Sequence, residues 1–242
     1  VVKGGRAEEG ARAATSHTGA LAGADVVYDA AFRRAGMLRV NEVEELFDAV
    51  ATLATMSPQR GNRLAIVTNG GGAGVLATDR LIEEGGKLAS LSEDTINKLN
   101  AVLPSTWSHA NPIDIIGDAD AARYAHAVEV MLQDADSDGL LVSYCPTSVG
   151  SAADAAQGLI GVLQKAGAPK KNVFACWMGD ASVQEGRAQL AAAKVPDFET
   201  PERAVRAFMY LVRYRQSQDL LLETPSSVAP SAQVDTGRAR AL

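Results

Sequence analysis

His17 sits in a run of small and hydroxylic residues, Thr15-Ser16-His17-Thr18-Gly19-Ala20-Leu21-Ala22-Gly23, which reads as a polar loop that leaves the ring open to an incoming group. Imidazole titrates near pH 6.5 in general, so at cellular pH much of it is neutral and nucleophilic and can accept a phosphoryl group. Two later turns have the make-up of anion sites, Thr68-Asn69-Gly70-Gly71-Gly72-Ala73-Gly74 and Ser143-Tyr144-Cys145-Pro146-Thr147-Ser148-Val149-Gly150. Glycine lets the backbone approach a ligand closely, Thr68 and Asn69 can add side-chain donors, and a helix start presents free N–H groups and the positive end of its dipole. Each turn also has an ordinary reading: glycines that relieve crowding between a strand and a helix, and hydroxyls at Thr147 and Ser148 that cap the helix behind them. A nucleophile with two cradles points to phosphoryl transfer, because two facing helix N-termini neutralise a dianionic phosphohistidine better than one. His109 and His126 read as solvated surface groups.

Two nucleotide motifs are excluded. A dinucleotide fingerprint starting at Gly70 needs glycine or alanine at position 75 and meets Val75, and no acidic residue follows about 20 positions on in a second strand. A P-loop is ruled out because no Gly-Lys-Ser/Thr follows the glycines.

The elements that must hold these residues follow from periodicity. Leu64 to Thr68, Leu140 to Tyr144 and Val173 to Trp177 are short continuous apolar runs, as in strands buried on both faces of a parallel sheet. Helical patterns separate them, from Ala73 to Glu84, Ser92 to Val102, Asp120 to Leu132, Ser151 to Lys165, Val183 to Ala193 and Pro201 to Arg215, with Leu88-Ala89 and Asp197-Phe198 as weaker strands. The alternation predicts a doubly wound α/β domain of flavodoxin-like size over 62–216. Before it, 1–57 offers a strand end at Val1-Val2-Lys3-Gly4, a helix from Ala24 to Ala35 stopped by Gly36, and a helix capped by Asn41, too little for a closed core. Ser57-Pro58-Gln59-Arg60-Gly61 marks the boundary, and the Pro- and Ser-rich residues 217–242 read as linker. On this reading the chain begins mid-domain and is a piece of a longer polypeptide.

Composition bounds the partners. A net charge of -6 gives no general attraction for nucleic acid or an anionic membrane, and no apolar span approaches the roughly 18 residues of a membrane helix. Cys145 and Cys176 lack metal-ligand spacing and read as two reduced thiols of a cytoplasmic protein.

The strings Lys3 to Gly23, Leu64 to Gly74, Asn111-Pro112-Ile113-Asp114, Pro146 to Gly150, Trp177-Met178-Gly179 and Phe198 to Ala204 together resemble the NDP-forming acyl-CoA synthetases, a family related to succinyl-CoA synthetase. The resemblance implies an acid–thiol ligase, acetate-directed in substrate, that interconverts acyl-CoA, NDP and phosphate with acid, NTP and CoA. It makes His17 the transient phosphoryl carrier, with Ser16, Thr18, Gly19, Asn69, Gly70, Gly71, Gly72, Pro146, Thr147, Ser148 and Asn111 around phosphate, acyl phosphate or a small carboxylate. It implies no cofactor on the fragment itself, while CoA, ATP or ADP and Mg belong to the complete enzyme, whose CoA-binding and ATP-grasp domains would be the partners. Two rivals stand beside it: a metabolite-sensing region of a synthetase-like acetyltransferase, and a free-standing flavodoxin-like module that binds flavin or nucleotide.

Overall fold

The apolar runs after Gly61 become the strands of one parallel sheet. In the computed structural model, which describes residues 1–18, 23–167 and 170–223, the elements run α1 (Glu8–Thr18), α2 (Asp25–Arg34), α3 (Val43–Thr55), β1 (Arg63–Thr68), α4 (Gly71–Glu83), β2 (Lys87–Leu88), α5 (Glu93–Val102), β3 (Ile113–Asp114), α6 (Ala121–Gln133), β4 (Gly139–Tyr144), α7 (Ala152–Ala166), β5 (Asn172–Trp177), a 3-10 turn (Ala181–Val183), α8 (Gln184–Ala192) and α9 (Pro201–Leu222).

β4 pairs along the length of β1, and β5 along β4, all parallel. The other edge of β1 is shared: β2 pairs with its first two residues and β3 with Val67 and Thr68. Strand addition therefore reverses direction between β1 and β4, which makes that gap the topological switch point where sheets of this type bind ligands. All six β4 residues are buried, as a central strand of continuous apolar sequence requires. Alternate residues feed two cores. Ala65, Val67, Leu140 and Val142 meet Tyr124, Val128 and Met131 of α6 and Leu159 of α7, whereas Leu64, Ile66, Leu141 and Phe174 meet Leu81 of α4 and Val205 and Phe208 of α9. The fold is thus the doubly wound, flavodoxin-like α/β sheet expected from the alternation.

Local signals act as their chemistry predicts. Ser92, Asp120, Ser151 and Thr200 each accept a backbone N–H three residues on, and Pro201 opens α9. Gly36 takes φ +70 just past α2. The structure departs from the sequence reading at four points. The helix over 43–55 is preceded by Glu42 rather than capped by Asn41, whose N–H instead donates to the Glu45 carboxylate. Residues 217–222 are the last turns of α9 rather than linker, since Ser217 is buried and Gln218 donates to Gly36 O; the rest of the proposed linker, 224–242, lies outside the described residues. Ile113-Asp114, to which the sequence reading assigned no element, form a two-residue strand. His17 belongs to helix α1, because Glu8, Glu9 and Arg12 pair within an alanine-rich stretch that propagates to Thr18.

In the first 55 residues, Val1–Lys3 runs beside Leu38–Val40 through a single parallel bridge, Val2 to Val40. Leu38, Val40 and Ala49 close on Tyr210 of α9, so α9 packs against α3 on one side and α4 on the other. Among the described residues no helix is long and apolar enough to cross a membrane.

Candidate functional site

All strands are parallel, so the turns after β1, β3, β4 and β5 emerge at one edge of the sheet. Thr68 ends β1, and its hydroxyl both donates to Gly70 O and accepts from Gly70 N, which holds the turn closed. Gly70 is extended and gives α4 no side-chain cap. The amides of Gly71 and Gly72, both exposed, consequently have no acceptor among the described residues and are the open terminus of α4. This much of the predicted cradle is present: a glycine-rich helix start at the switch point with two free donors.

The side chain of Asn69 is engaged elsewhere. Its amide donates to Cys145 O at 2.9 Å while its carbonyl oxygen accepts from Cys145 N at 2.7 Å, and the residue is buried. Where side-chain donors for an anion were expected, one N–H and the oxygen of the carboxamide fasten the β1 turn to the β4 turn. The two turns touch at Gly70, where a methyl group would lie 2.4 Å from Cys145 Sγ.

Asn111 is corrected in the same way. Its Oδ1 accepts from Ile66 N and its Nδ2 donates to Leu64 O and Ala89 O, so the side chain fills the gap on the β1 edge between β2 and β3. No donor is left to face a ligand. The residue that does face the crevice from this segment is Asp114, whose Oδ1 accepts from Ile116 N and whose Oδ2 would lie 2.9 Å from a methyl group at Gly71. Ile116 holds φ +71, a conformation a β-branched residue rarely adopts. Sequence reading gave Asp114 only within the Asn111-Pro112-Ile113-Asp114 string, because the two-residue strand that aims it is too short to leave a periodic signal.

The second turn is built differently from its prediction. α7 begins only at Ala152, capped by Ser151, and Pro146 to Gly150 form the loop before it. Thr147 Oγ1 accepts from Gly150 N, while Gly150 O accepts from the Tyr144 hydroxyl. Ser148 is exposed, and Pro146 abuts Gly179 of the β5 turn. The expected pair of open helix starts is thus one open start, α4, facing a self-bonded hydroxyl loop across a gap closed by Asn69. Burial pushes the Cys145 thiol up, against the Thr68 hydroxyl bond that lowers it. Both cysteines are free thiols.

His17 stands on the last turn of α1 and is exposed, as is Ser16; the hydrogen bonds and ion pairs of Arg12 and Thr15 stay within the helix. The Thr18 side chain and Gly19 lie outside what is described. Among the described residues no hydrogen bond joins the imidazole to the glycine turn. His109 Nε2 donates to Ser105 O and its ring leans on Trp107, and His126 is exposed on α6, in keeping with surface roles. Two clefts lie away from these turns. One of about 880 Å³ opens at the opposite edge of the sheet, beside Gln59, Lys171 and Asn172. Another of about 630 Å³ lies between α3 and residues 195–199. Among the described residues no group of three or more His, Cys, Asp or Glu could hold a metal ion.

Comparison with known proteins matches residues 1–53 to the succinyl-CoA ligase like flavodoxin domain and residues 64–221 to the Ligase-CoA domain. Over 214 residues the chain is 39% identical to acetate–CoA ligase [ADP-forming] I of Archaeoglobus fulgidus, covering 88% of this chain and 30% of that protein. It is 37% identical to the alpha subunit of acetate–CoA ligase [ADP-forming] I of Pyrococcus furiosus, covering 88% and 46%. The dinucleotide forming acetyl-coenzyme A synthetase 1 of Ca. Korarchaeum cryptofilum, solved in complex with phosphate and ADP, superposes with a TM-score of 0.85 at 36% identity, covering 93% of this chain and 49% of that one. The chain spans less than half the length of each of these three.

Proposed function

We propose, from the premise that this chain belongs to the NDP-forming acyl-CoA synthetase family, that it supplies the phosphoryl carrier and the anion-receiving crevice of an acetate-directed acyl-CoA synthetase. In the forward direction phosphate attacks the thioester carbonyl of acyl-CoA, CoA leaves, and an acyl phosphate forms. His17 then takes the phosphoryl group from the acyl phosphate, releasing the acid, and passes it to a nucleoside diphosphate. Residues 1–57 are the carrier-bearing part, and the sheet domain, from 62 to the end of α9 at Leu222, receives the anion.

The observation that carries this reading is the uncapped start of α4. Gly71 and Gly72 offer two unclaimed N–H groups, aligned with the helix dipole, at the switch point of the sheet. Such donors stabilise charge as it develops on a transferring phosphoryl or acyl oxygen. Asp114 at the rim limits how much negative charge the crevice tolerates, which suits a group handed onward rather than stored. The exposed position of His17 on α1 suits a carrier that serves more than one site. Nucleotide, CoA and Mg²⁺ are assigned to the partner domains, a CoA-binding domain and an ATP-grasp domain, and the whole to the cytoplasm.

The test is to incubate the complete synthetase with ATP and Mg²⁺ and map acid-labile phosphate. Label on His17, with label and thioester synthesis both abolished in His17→Ala, is expected. Thioester synthesis at the wild-type rate in His17→Ala would overturn the assignment.

A further inference from the structure

We propose that Asn69 is a positioning residue for the anion: without touching it, the carboxamide locks the two sides of the crevice at the spacing in which Gly71 and Gly72 can receive it. This rests on the phosphate reading above.

A carboxamide has an accepting oxygen and an NH2 with two donor hydrogens, and here the oxygen and one N–H engage a single residue as a peptide unit would, Cys145 N at 2.7 Å and Cys145 O at 2.9 Å. The pairing prolongs the β1–β4 ladder by one step beyond Thr68 and Ser143, at the point where the backbones would otherwise part. Contact at Gly70 is so close that a methyl group there would penetrate Cys145 Sγ. Between the clasp and the free amides there is no slack, because both backbone groups of Gly70 are bonded to the Thr68 hydroxyl. On the far side, Pro146 follows Cys145 directly and rests near Gly179. A shift of Cys145 relative to Asn69 therefore moves both the α4 start and the 146–150 loop. Asn111 makes one bond more, yet its bonds fall at Leu64, Ile66 and Ala89, short of the turn. The two asparagines should separate in their effects: Asn111 acts on the sheet edge, Asn69 on the geometry of the crevice.

The experiment uses the 242-residue chain labelled with ¹⁵N and titrated with inorganic phosphate, following the Gly71 and Gly72 amide resonances in the wild type and in Asn69→Ala, Asn69→Ser and Asn111→Ala, each well below its unfolding midpoint. Saturable shifts at both glycines are expected in the wild type. Asn69→Ala and Asn69→Ser should weaken phosphate binding on the order of tenfold or more, as misplaced ligand groups do, while staying folded. Asn111→Ala should lower the melting temperature and leave phosphate affinity within about twofold, a split that a purely structural role for both residues does not produce. Wild-type affinity in a folded Asn69 variant, or equal weakening in Asn111→Ala, would overturn the positioning role. Absence of any shift at Gly71 and Gly72 in the wild type would instead remove the phosphate reading, and this proposal with it.

Discussion

Arg203 grips Asp48 through two hydrogen bonds, Nε to Oδ2 at 3.1 Å and Nη2 to Oδ1 at 2.9 Å, which fastens α3 to α9. Glu44 and Glu199 flank the same guanidinium, and its bond to Asp48 raises its proton affinity. Side-chain exposure is only 24% and 17%, so removing one partner leaves the other charge poorly solvated. Arg203→Met should cost about 1–2 kcal/mol, between the values of exposed and fully buried pairs. Urea denaturation measures it, and an Arg203→Met/Asp48→Leu double variant should recover part of the loss.

Gly70→Ala should be among the most damaging single changes in the sheet domain. Its new methyl would sit 2.4 Å from Cys145 Sγ and 3.0 Å from Cys145 Cβ, and neither turn can move without breaking the Asn69 clasp. A cost of about 2–3 kcal/mol is expected from overpacking. Chemical denaturation of Gly70→Ala with and without Cys145→Ala separates crowding from loss of backbone freedom, and an equal cost in both backgrounds would discount the crowding.

Asp197 predicts a pH dependence. Burial raises its carboxyl to about 6, outweighing the bond from Trp177 N and the charge of Arg187. A folded-state value above the unfolded one means that the folded protein binds this proton more tightly. Its stabilising contribution is complete below about pH 4 and is lost as pH rises through about 6. Unfolding free energies of the wild type and Asp197→Asn between pH 4 and 8 should therefore diverge in slope over that window; parallel curves would show that the group titrates normally.

His17→Ala should leave stability within about 0.5 kcal/mol, since the ring is exposed at a helix end and no core residue rests on it. A thermal melt checks this, and an unchanged midpoint makes any lost phosphoryl transfer a chemical rather than a folding effect.

Much of this architecture is legible in residue order. Continuous runs such as Leu64 to Thr68 and Leu140 to Tyr144 have no polar face and so become central strands, and Thr200-Pro201 marks a helix start by local chemistry alone. The glycine turn was legible too, because three glycines after a buried strand serve few purposes. What escaped is where a polar side chain finds its partners. Asn69 and Asn111 look like ligand donors from composition, yet each satisfies backbone groups distant in sequence, Cys145 in one case and Leu64, Ile66 and Ala89 in the other. Ile113-Asp114 escaped for a related reason, since a two-residue strand leaves almost no periodicity and exists because β1 offers it an edge. His17 looked like a loop residue from its small neighbours, whereas the helix begun at Glu8 simply continues through them.

Tyr124, Tyr144 and Trp177 form a buried aromatic group beneath the crevice, the last two rings stacked with centroids 5.9 Å apart. The Trp177 indole donates to Ala152 O, and the Tyr144 hydroxyl to Gly150 O, so the junction of the 146–150 loop with α7 hangs from two chromophores. The molecule therefore carries its own optical gauge: any occupant that tugs that loop must change the setting of an indole whose emission can be watched in real time, with no dye attached.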